Sequence, residues 1–572
     1  MVGAVGGSAS PLSAEDPLAT FSERTQVSLV EVDFWAESPK GVPIEDLRQD
    51  EVELLEDGQR VDIRSFSVPR AAAASANESA ERAPDGVAPP AESMIETRGV
   101  RPIVAIFVDD AYLRPGHRQR VLAALRAWME RLSPGGIDWL LVAFDRSLQV
   151  LVPRTVKRAR VSDALDGMSL GGASGMKRLL EEHMALEQIQ LRQRQEVENP
   201  QGTPCPADLP IYAAGLASQQ ESEASASLGA LSAFAGSMAA LPGKKLLLDV
   251  SDSILLHPGG TAYEYIQALC DGSGQREGVE WAVDLAGEVG GGQLDVRAMP
   301  MDEAAHNLAP ELAAIAARAN ANGVTLWTLD AAGLSPSGTG ADSFGKSETI
   351  ASSFANRADA QDVFASLAHD TGGRAILDRN DFLPVLGDLG HDATAGYVLT
   401  FESPRAGDGR VHALKLETTR PDVRLRYRRS WRDAPLDEEL ATRVRGALLF
   451  GVDRPGLGAT LTLLRRESKP QGDRAVVRIT LSEAAVTLLP SAGGARLGEL
   501  RVEAAVEPAH GSITPVRGRR VDLRLPAAVP DGPPIVSDLE LPLGAAGGSV
   551  AIGVRDELSG DWAVLRLDVG GH

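Results

Sequence analysis

Two groups of oxygen-bearing side chains stand where apolar segments of the sequence end. Asp109 and Asp110 follow the run IVAIFV, while Ser251, Asp252 and Ser253 follow the run LLLDV. Carboxylate and hydroxyl oxygens are the ligands that Mg²⁺ and other hard divalent cations prefer. The same carboxylates also accept hydrogen bonds from backbone N–H groups where helices begin. The sequence therefore indicates either a divalent-cation site or acidic residues that hold loops and helix ends.

The elements that carry these residues are short apolar runs that alternate with helical patterns. Strands are predicted at 102–109, 139–152, 244–253, 323–330 and 372–378. Helical spacing of apolar residues is found between the strands, for example in 121–132, 361–369 and 381–389. This alternation predicts an α/β unit with a parallel, doubly wound sheet. Such sheets bind ligands at the carboxyl ends of their strands, so Asp109, Asp110 and Asp252 are expected to converge there.

Composition shifts divide the chain into segments with different patterns. The predicted segments are a flexible tail (1–24), a β segment (25–69), an Ala/Pro-rich linker (70–98), an α/β domain (99–395) with insertions at 174–240 and 255–310, returning β strands (396–431), a helical connector (432–449) and a C-terminal β-sandwich (450–572). Neither of the first two β segments has enough strands for a stable sheet by itself. We therefore expect 25–69 and 396–431 to form one sandwich into which the α/β domain is inserted.

The two insertions differ in character. The first predicts two helices joined by a Pro-containing loop around Cys205, and the second, polar and Gly-rich, predicts a loop over the sheet. The first helix carries an apolar stripe formed by Leu179, Leu180, Met184, Leu186, Ile189 and Leu191. Such a stripe either packs on its own domain or recognises a partner.

Charge and composition exclude several classes of function. The net charge of −22 leaves no basic footprint for nucleic acid or for an anionic membrane surface. No segment approaches the ~18 apolar residues of a membrane helix, so no membrane span is predicted. The first eleven residues are too short and Gly-rich for a signal peptide, so either the protein is cytoplasmic or its leader has been removed. Cys205 and Cys270 exclude a four-cysteine zinc site and leave a single disulfide open.

Other chemical motifs are incomplete. Gly340–Ser347 fits the phosphate-binding pattern G-x-x-x-x-G-K-[ST], but no predicted strand runs directly into it. The histidines show no paired spacing such as H-E-x-x-H, and no G-x-S-x-G elbow is present. We therefore expect no catalytic residues and no enzymatic activity, with a nucleotide hydrolase that uses Gly340–Ser347 as the least favoured alternative.

Several blocks in order resemble bacterial proteins with a von Willebrand factor A (VWA)-related domain. These are TQVSLVEVDFWAESPKGVPIEDLRQDEVELLEDGQ, RPIVAIFVDDAYLRPGHRQRVLAAL, LPGKKLLLDVSDS, ANGVTLWTLDAAGL, LAHDTGGRAI and YVLTFESPRAGDGRVHALKLET, which together span about residues 25–431. The resemblance implies a Rossmann-like VWA domain flanked by Ig-like β-sandwich material. It also implies an exported protein (periplasmic, cell-surface or secreted) with a binding or scaffolding role.

The resemblance further implies a metal-ion-dependent site that this chain retains only in part. The family motif Asp-x-Ser-x-Ser maps onto Asp109, Ala111 and Leu113, so both hydroxyls are absent. The later family aspartate maps onto Asp252, and Ser174 is a candidate for the intervening hydroxyl. A degenerate site is therefore favoured over a working one that holds Mg²⁺ or another divalent cation.

The expected function is a non-enzymatic protein–protein interaction or adhesion module whose partner is an unidentified protein. The alternative is a structural protein whose β-rich flanks assemble it into a homo-oligomer or an envelope-associated complex.

Overall fold

The computed structural model describes most of the chain with several gaps. The described residues are 29–68, 101–132, 136–170, 175–199, 205–252, 254–273, 306–334, 350–405, 408–432, 436–467, 473–491, 494–509, 513–526, 534–544 and 546–570. The predictions made for 1–24, 70–98, Ser174, Ser253 and Gly340–Ser347 lie outside these residues.

The described residues form a mixed α/β protein with several antiparallel sheets and one sheet that contains parallel strands. Strands β1 to β22 are, in chain order, Leu29–Glu37, Val52–Glu56, Gln59–Val61, Ile63–Ser67, Ile103–Asp109, Asp138–Asp145, Ser147–Thr155, Lys245–Ser251, Val324–Asp330, Ala375–Ile376, Tyr397–Glu402, Val411–Thr418, Arg424–Tyr427, Ser430–Arg432, Thr460–Glu467, Arg474–Leu481, Leu489–Pro490, Arg496–Pro508, Arg517–Leu525, Ile535–Pro542, Gly548–Asp556 and Trp562–Val569. Helices α1 to α9 are Pro115–Arg131, Arg158–Ser169, Gly175–Glu198, Leu209–Ser237, Gly260–Ser273, Ala309–Ala321, Ile350–Thr371, Leu383–Thr394 and Leu436–Phe450.

The central sheet has the strand order β10-β9-β8-β5-β6-β7. Its neighbours are parallel except at the edge, where β7 runs antiparallel to β6. Apolar cores cover both faces, with α1, α2 and α8 on one and α4, α6 and α7 on the other. Burial on both faces explains why β5 is apolar throughout. After β5 the chain adds β6 and β7 on one side of that strand. After β8 it adds β9 and β10 on the opposite side. The direction in which strands are added therefore reverses between the neighbouring strands β5 and β8.

The prediction of one strand over 139–152 is wrong. The chain reverses at Arg146, whose φ of 65° is in the left-handed region, and Asp145 pairs with Ser147 across the turn. Left-handed turns are usually marked by Gly, Asn or Asp, so an arginine in a run of strand-forming residues gives no sequence signal. The result is the β6–β7 hairpin.

The expectation of a loop throughout 255–310 is wrong at its beginning, where α5 forms. Ala262, Tyr263, Ile266 and Cys270 are buried at helical spacing in a small core shared with α3 and α4. The composition of 255–310 is dominated by the polar and Gly-rich residues after α5, so the short helical periodicity at its beginning was not recognised.

The first β segment and the returning strands share one two-layer core. One layer has the order β13-β1-β11-β4 and the other β14-β12-β2-β3, so each layer contains strands from both segments. Asp57 at φ 48° and Gly58 at φ 79° form the turn that joins β2 and β3, as expected of an Asp-Gly pair between two strands. Pairing within the sheets therefore ties the first segment to strands more than 330 residues later, as in the Val32–Leu399 pair.

The C-terminal region is antiparallel β structure around its own core. The sheets β15-β16-β20 and β17-β18-β21-β22, with β19 on β18, pack their apolar faces together. Helix α9 covers the outer face of β18, β21 and β22. The same helix reaches the central unit, where Phe450 contacts Phe234 edge to face.

Cys205 and Cys270 form a disulfide with a Cα–Cα distance of 5.4 Å. It joins the residues before α4 to α5, so the bond closes the small core between α3, α4 and α5. The question that the sequence left open is therefore answered by the fold. Among the described residues, no helix combines the length and the apolar character needed to cross a membrane.

Candidate functional site at the strand ends

Three carboxylates lie at the carboxyl ends of three adjacent parallel strands. Asp109 ends β5, Asp252 directly follows β8, and Asp330 ends β9. Their exposed fractions are 1%, 0% and 4%. Asp330 was not among the predicted site residues, although it ends an apolar strand just as Asp109 does. Buried carboxylates need compensating partners. The partners of these three therefore decide between a divalent-cation site and a structural role in holding loops and helix ends.

Asp252 forms hydrogen bonds with two side chains from the beginning of α1, one of which is a charged arginine. The guanidinium of Arg114 donates from Nε to Oδ2 at 2.9 Å and from Nη2 to Oδ1 at 3.1 Å. The Nδ1 atom of His117 lies 2.7 Å from Oδ2. Burial raises the pKa of Asp252, but hydrogen bonds with His117 and Arg114 and the charge of Arg114 outweigh it, so the pKa lies well below its ordinary value. Asp252 is therefore ionised at neutral pH, and its counter-ions belong to the chain.

Asp110 turns away from the other strand-end carboxylates. Arg118 donates to both of its oxygens, from Nε at 2.8 Å and from Nη2 at 3.0 Å. Arg118 also donates from Nη1 to the carbonyl oxygen of Met168 in α2 at 2.7 Å. Arg118 thus joins α1 both to α2 and to Asp110 after β5, and it engages both carboxylate oxygens of Asp110.

Asp109 faces α4 on the other side of the sheet. Its Oδ2 accepts hydrogen bonds from Ser227 at 2.5 Å and from Ser251 at 3.0 Å. Its Oδ1 is buried and has no hydrogen-bond partner in the described parts of the chain. Burial raises the pKa of Asp109 to about 6, against the two serine hydrogen bonds and the charge of Arg178. Ser227 was missed because it lies in an Ala/Ser-rich helix that gives no sign of facing a strand end.

Two further carboxyl groups have raised pKa values at this end of the sheet. Burial, helped by the charge of Asp109, holds the pKa of Asp249 well above its ordinary value. Burial and the charge of Asp252 raise the pKa of Asp330 to about 6, although the N–H of Ala332 donates to it at 2.9 Å. Burial therefore favours the neutral form of both carboxyl groups relative to an exposed aspartate.

The arrangement does not fit a divalent cation. Both oxygens of Asp252 and of Asp110 accept hydrogen bonds from arginines, and the Ser251 hydroxyl donates to Asp109. In the part of the chain that the structure describes, no group of three His, Cys, Asp or Glu side chains is placed to share a metal ion. A cation at Asp252 would have to displace Arg114 and His117. These side chains instead serve the alternative role of holding loops and helix ends, since the Arg114 N–H at the beginning of α1 also lies 3.4 Å from Asp252 Oδ2.

The apolar stripe predicted on the first insertion helix is divided by the structure. Leu186 and Ile189 are buried in the core that α3 shares with α4 and α5. Leu180, Met184 and Leu191 are 48%, 50% and 49% exposed. At 100° per residue these three side chains fall within about 40° of one another around the helix. One side of α3 therefore packs, and Leu180, Met184 and Leu191 face solvent on a row that also contains the exposed Glu187.

A separate titratable cluster lies in the first sandwich. The ring of His412 stands between two aspartates, with Nδ1 2.9 Å from Asp57 and Nε2 3.0 Å from Asp408. Both contacts are hydrogen bonds only when both ring nitrogens carry protons. Burial lowers the pKa of His412, but the hydrogen bonds with Asp57 and Asp408 raise it more, and the net pKa is above its ordinary value. His412 thus joins the β2–β3 turn to the β11–β12 connection.

Comparisons with known proteins do not identify a family. No family model and no curated protein matches the chain. Similar solved structures include an aerotolerance-related membrane protein from Bacteroides fragilis NCTC 9343 (10% identity, 52% of this chain, 98% of that chain, TM-score 0.22). They also include the conserved hypothetical protein BatB from Bacteroides thetaiotaomicron (10% identity, 51% of this chain, 97% of that chain, TM-score 0.22). A third is the open conformation of the pilus adhesin SpaC from Lactobacillus rhamnosus GG (9% identity, 77% of this chain, 53% of that chain, TM-score 0.23). At these TM-scores the similarities carry no argument about function.

Proposed function

We propose that the protein is a non-enzymatic protein–protein interaction module built on a VWA-like α/β domain. When the strands β5 to β10 are renumbered 1 to 6, their order across the sheet is 3-2-1-4-5-6. This is the strand order of the Rossmann-type doubly wound sheet. This order supports the sequence resemblance. In the proposed module Arg114 and His117 take the place of a divalent cation beside Asp252, so partner binding is independent of metal.

The observation that carries the interaction role is the exposed apolar row on α3. Leu180, Met184 and Leu191 lie on one face of a helix whose other face is anchored in a core. Helix α3 also begins against the connection after β5, because a Cβ at Gly175 would collide with the carbonyl of Tyr112. The beginning of α3 therefore lies against the residues that follow β5, and its middle is anchored through Leu186 and Ile189. Rows of this kind are typical of surfaces that bind proteins.

The proposed location is outside the cytoplasm. The Cys205–Cys270 disulfide supports it, because disulfides persist in oxidising compartments and are rare in the cytosol.

The test compares full-length baits in native extract. The triple variant Leu180→Gln, Met184→Gln, Leu191→Gln is compared with wild type and with Leu489→Gln, which changes an equally exposed leucine in β17. Wild type and control are expected to retain the same protein with and without EDTA, and the triple variant is expected to lose it. Equal retention by the triple variant would contradict the role of α3. Loss of retention in EDTA would contradict metal independence.

A further inference from the structure

The C-terminal sandwich contains a long strand, β19, that is paired on one side. It pairs with β18 over nine successive residue pairs, from Arg496–Leu525 to Ala504–Arg517, without a register shift. Among the described strands, β18 is the only partner of β19. Six of the nine β19 residues are exposed. The outer edge of β19 therefore presents backbone N–H and C=O groups that no described strand uses.

Two other edge strands of this sandwich differ from β19. Strand β15 is interrupted by a register shift between Leu463 and Arg465. Strand β20 is regular, but its acidic side chains pair with arginines of β16, as in the 2.7 Å contact between Asp538 and Arg478. Strand β19 is therefore distinguished by a regular edge with a charge of its own.

Strand β19 is basic in an acidic chain. The net charge of the chain is −22. The nine residues of β19 nevertheless contain one acid, Asp522, and four arginines, which are Arg517, Arg519, Arg520 and Arg524. Exposed charges more than about 8 Å apart are largely screened at physiological salt. The local arginines rather than the net charge therefore decide what this edge attracts.

The arginines lie on both faces of the strand. Because side chains alternate along a strand, Arg520 and Arg524 share the outer face, while Arg517 and Arg519 share the face of the core residue Leu523. Arg520 lies 3.4 Å from a glutamate of β18, and Arg519 donates to a serine of β20 at 2.9 Å. Within the described ranges, Arg517 and Arg524 have no ion pair. Both faces of the edge thus offer positive charge.

The charges limit which strand can pair with this edge. Edge strands are commonly protected from pairing by bulges, by prolines or by charged side chains. Strand β19 has no bulge and no proline within it. Its arginines repel a basic segment and a second β19, but they attract an acidic one.

We propose that β19 binds an extended acidic segment of a partner protein, which pairs with its outer edge as an added strand. Main-chain hydrogen bonds hold the segment, and acidic side chains opposite the arginines select it. This surface lies in the C-terminal sandwich and does not involve α3. The proposal therefore stands independently of the interaction surface described above.

The test measures the fluorescence anisotropy of a fluorescein-labelled peptide, Val-Glu-Val-Thr-Val-Glu-Glu-Thr-Glu, with the full-length protein. In antiparallel register its glutamates lie opposite the arginines of β19. Saturable binding that weakens as salt is added is expected. Two further peptides carry N-methyl groups at the odd or at the even residues. One of them should lose binding and the other should keep it, because successive N–H groups of a strand point to opposite sides.

The double variant Arg520→Gln, Arg524→Gln is expected to weaken binding about ten-fold, because two ion pairs with the peptide are lost. The matched control is Arg474→Gln with Arg478→Gln, which removes two exposed arginines of the same sandwich that pair with β20. The control is expected to bind as wild type does. Circular dichroism checks the fold of each variant, and the single variant Arg524→Gln replaces a double variant that does not fold.

Three results would overturn the proposal. Equal binding of the two N-methylated peptides would mean that charge attracts the peptide without strand pairing, as it would attract any polyanion. Equal weakening in the control variant would mean that β19 is not the site. A wild-type dimer that becomes monomeric in the Arg520→Gln, Arg524→Gln variant would assign the edge to a second copy of the chain.

Discussion

Replacing Arg114 by methionine should show that Asp252 depends on the counter-ions of its own chain. Asp252 is 0% exposed, and Arg114 supplies two of its short hydrogen bonds. Removing one partner of a buried ion pair typically costs about 3–5 kcal/mol, because the other charge stays buried. Since His117 remains beside the carboxylate, we expect the lower end, a loss of about 3 kcal/mol in the free energy of unfolding at neutral pH.

The pH dependence of this loss has a definite sign. In the wild type the pKa of Asp252 is depressed, so its stabilising effect is complete above the ordinary pKa of about 4 and is lost only in stronger acid. In Arg114→Met the charge and the two side-chain hydrogen bonds of Arg114 are lost, so the contacts that oppose the effect of burial on the pKa of Asp252 are weaker. The variant therefore takes up a proton at a higher pH, which relieves the buried charge. The difference in stability should be largest at neutral pH and should shrink as the pH falls toward 4.

The assay is urea unfolding followed by tryptophan fluorescence, since Trp128, Trp139 and Trp327 lie in the core of the central unit. Arg126→Met is the control on the same helix, because Arg126 pairs with Asp166 on the surface. The control should unfold at the wild-type urea concentration. An Arg114→Met variant as stable as the control at pH 7, or a difference that grows in acid, would refute the reasoning.

Four further outcomes are expected. Cys205→Ala with Cys270→Ala should lower the free energy of unfolding by about 4 kcal/mol, the chain-entropy value for a separation of 65 residues, and unchanged stability would contradict this. His412→Gln should cost most stability below about pH 6.5 and less as the pH rises through the raised pKa, and a cost that grows with pH would contradict it. After cleavage at a protease site inserted within 69–100, the N-terminal and C-terminal pieces should elute together in gel filtration, because β1 lies between β11 and β13. Separate elution of the two pieces would refute the shared sandwich. Calorimetric titration of EDTA-treated protein with Mg²⁺ or Mn²⁺ should give no saturable heat, and saturable binding that Asp252→Ala abolishes would restore the metal site.

Much of the local structure followed from the sequence. The continuous apolar run before Asp109 predicts a strand buried on both faces, and β5 is such a strand. The Asp57-Gly58 pair predicts the turn that joins β2 and β3. These predictions hold because turn geometry and burial pattern depend on steric preferences within a few residues. Where the local signal was absent, as at Arg146, the prediction failed.

The sequence by itself determined that acidic residues stand at the ends of buried strands. Only the tertiary structure decided what surrounds them. Arg114 and His117 reach Asp252 across more than 130 positions of the chain, and Ser227 reaches Asp109 across 118. These encounters depend on the order of strands in the sheet and on the helices that cover it, which no local pattern encodes. A charge buried by the fold must be balanced by whatever side chain the fold brings beside it, and here that side chain is an arginine.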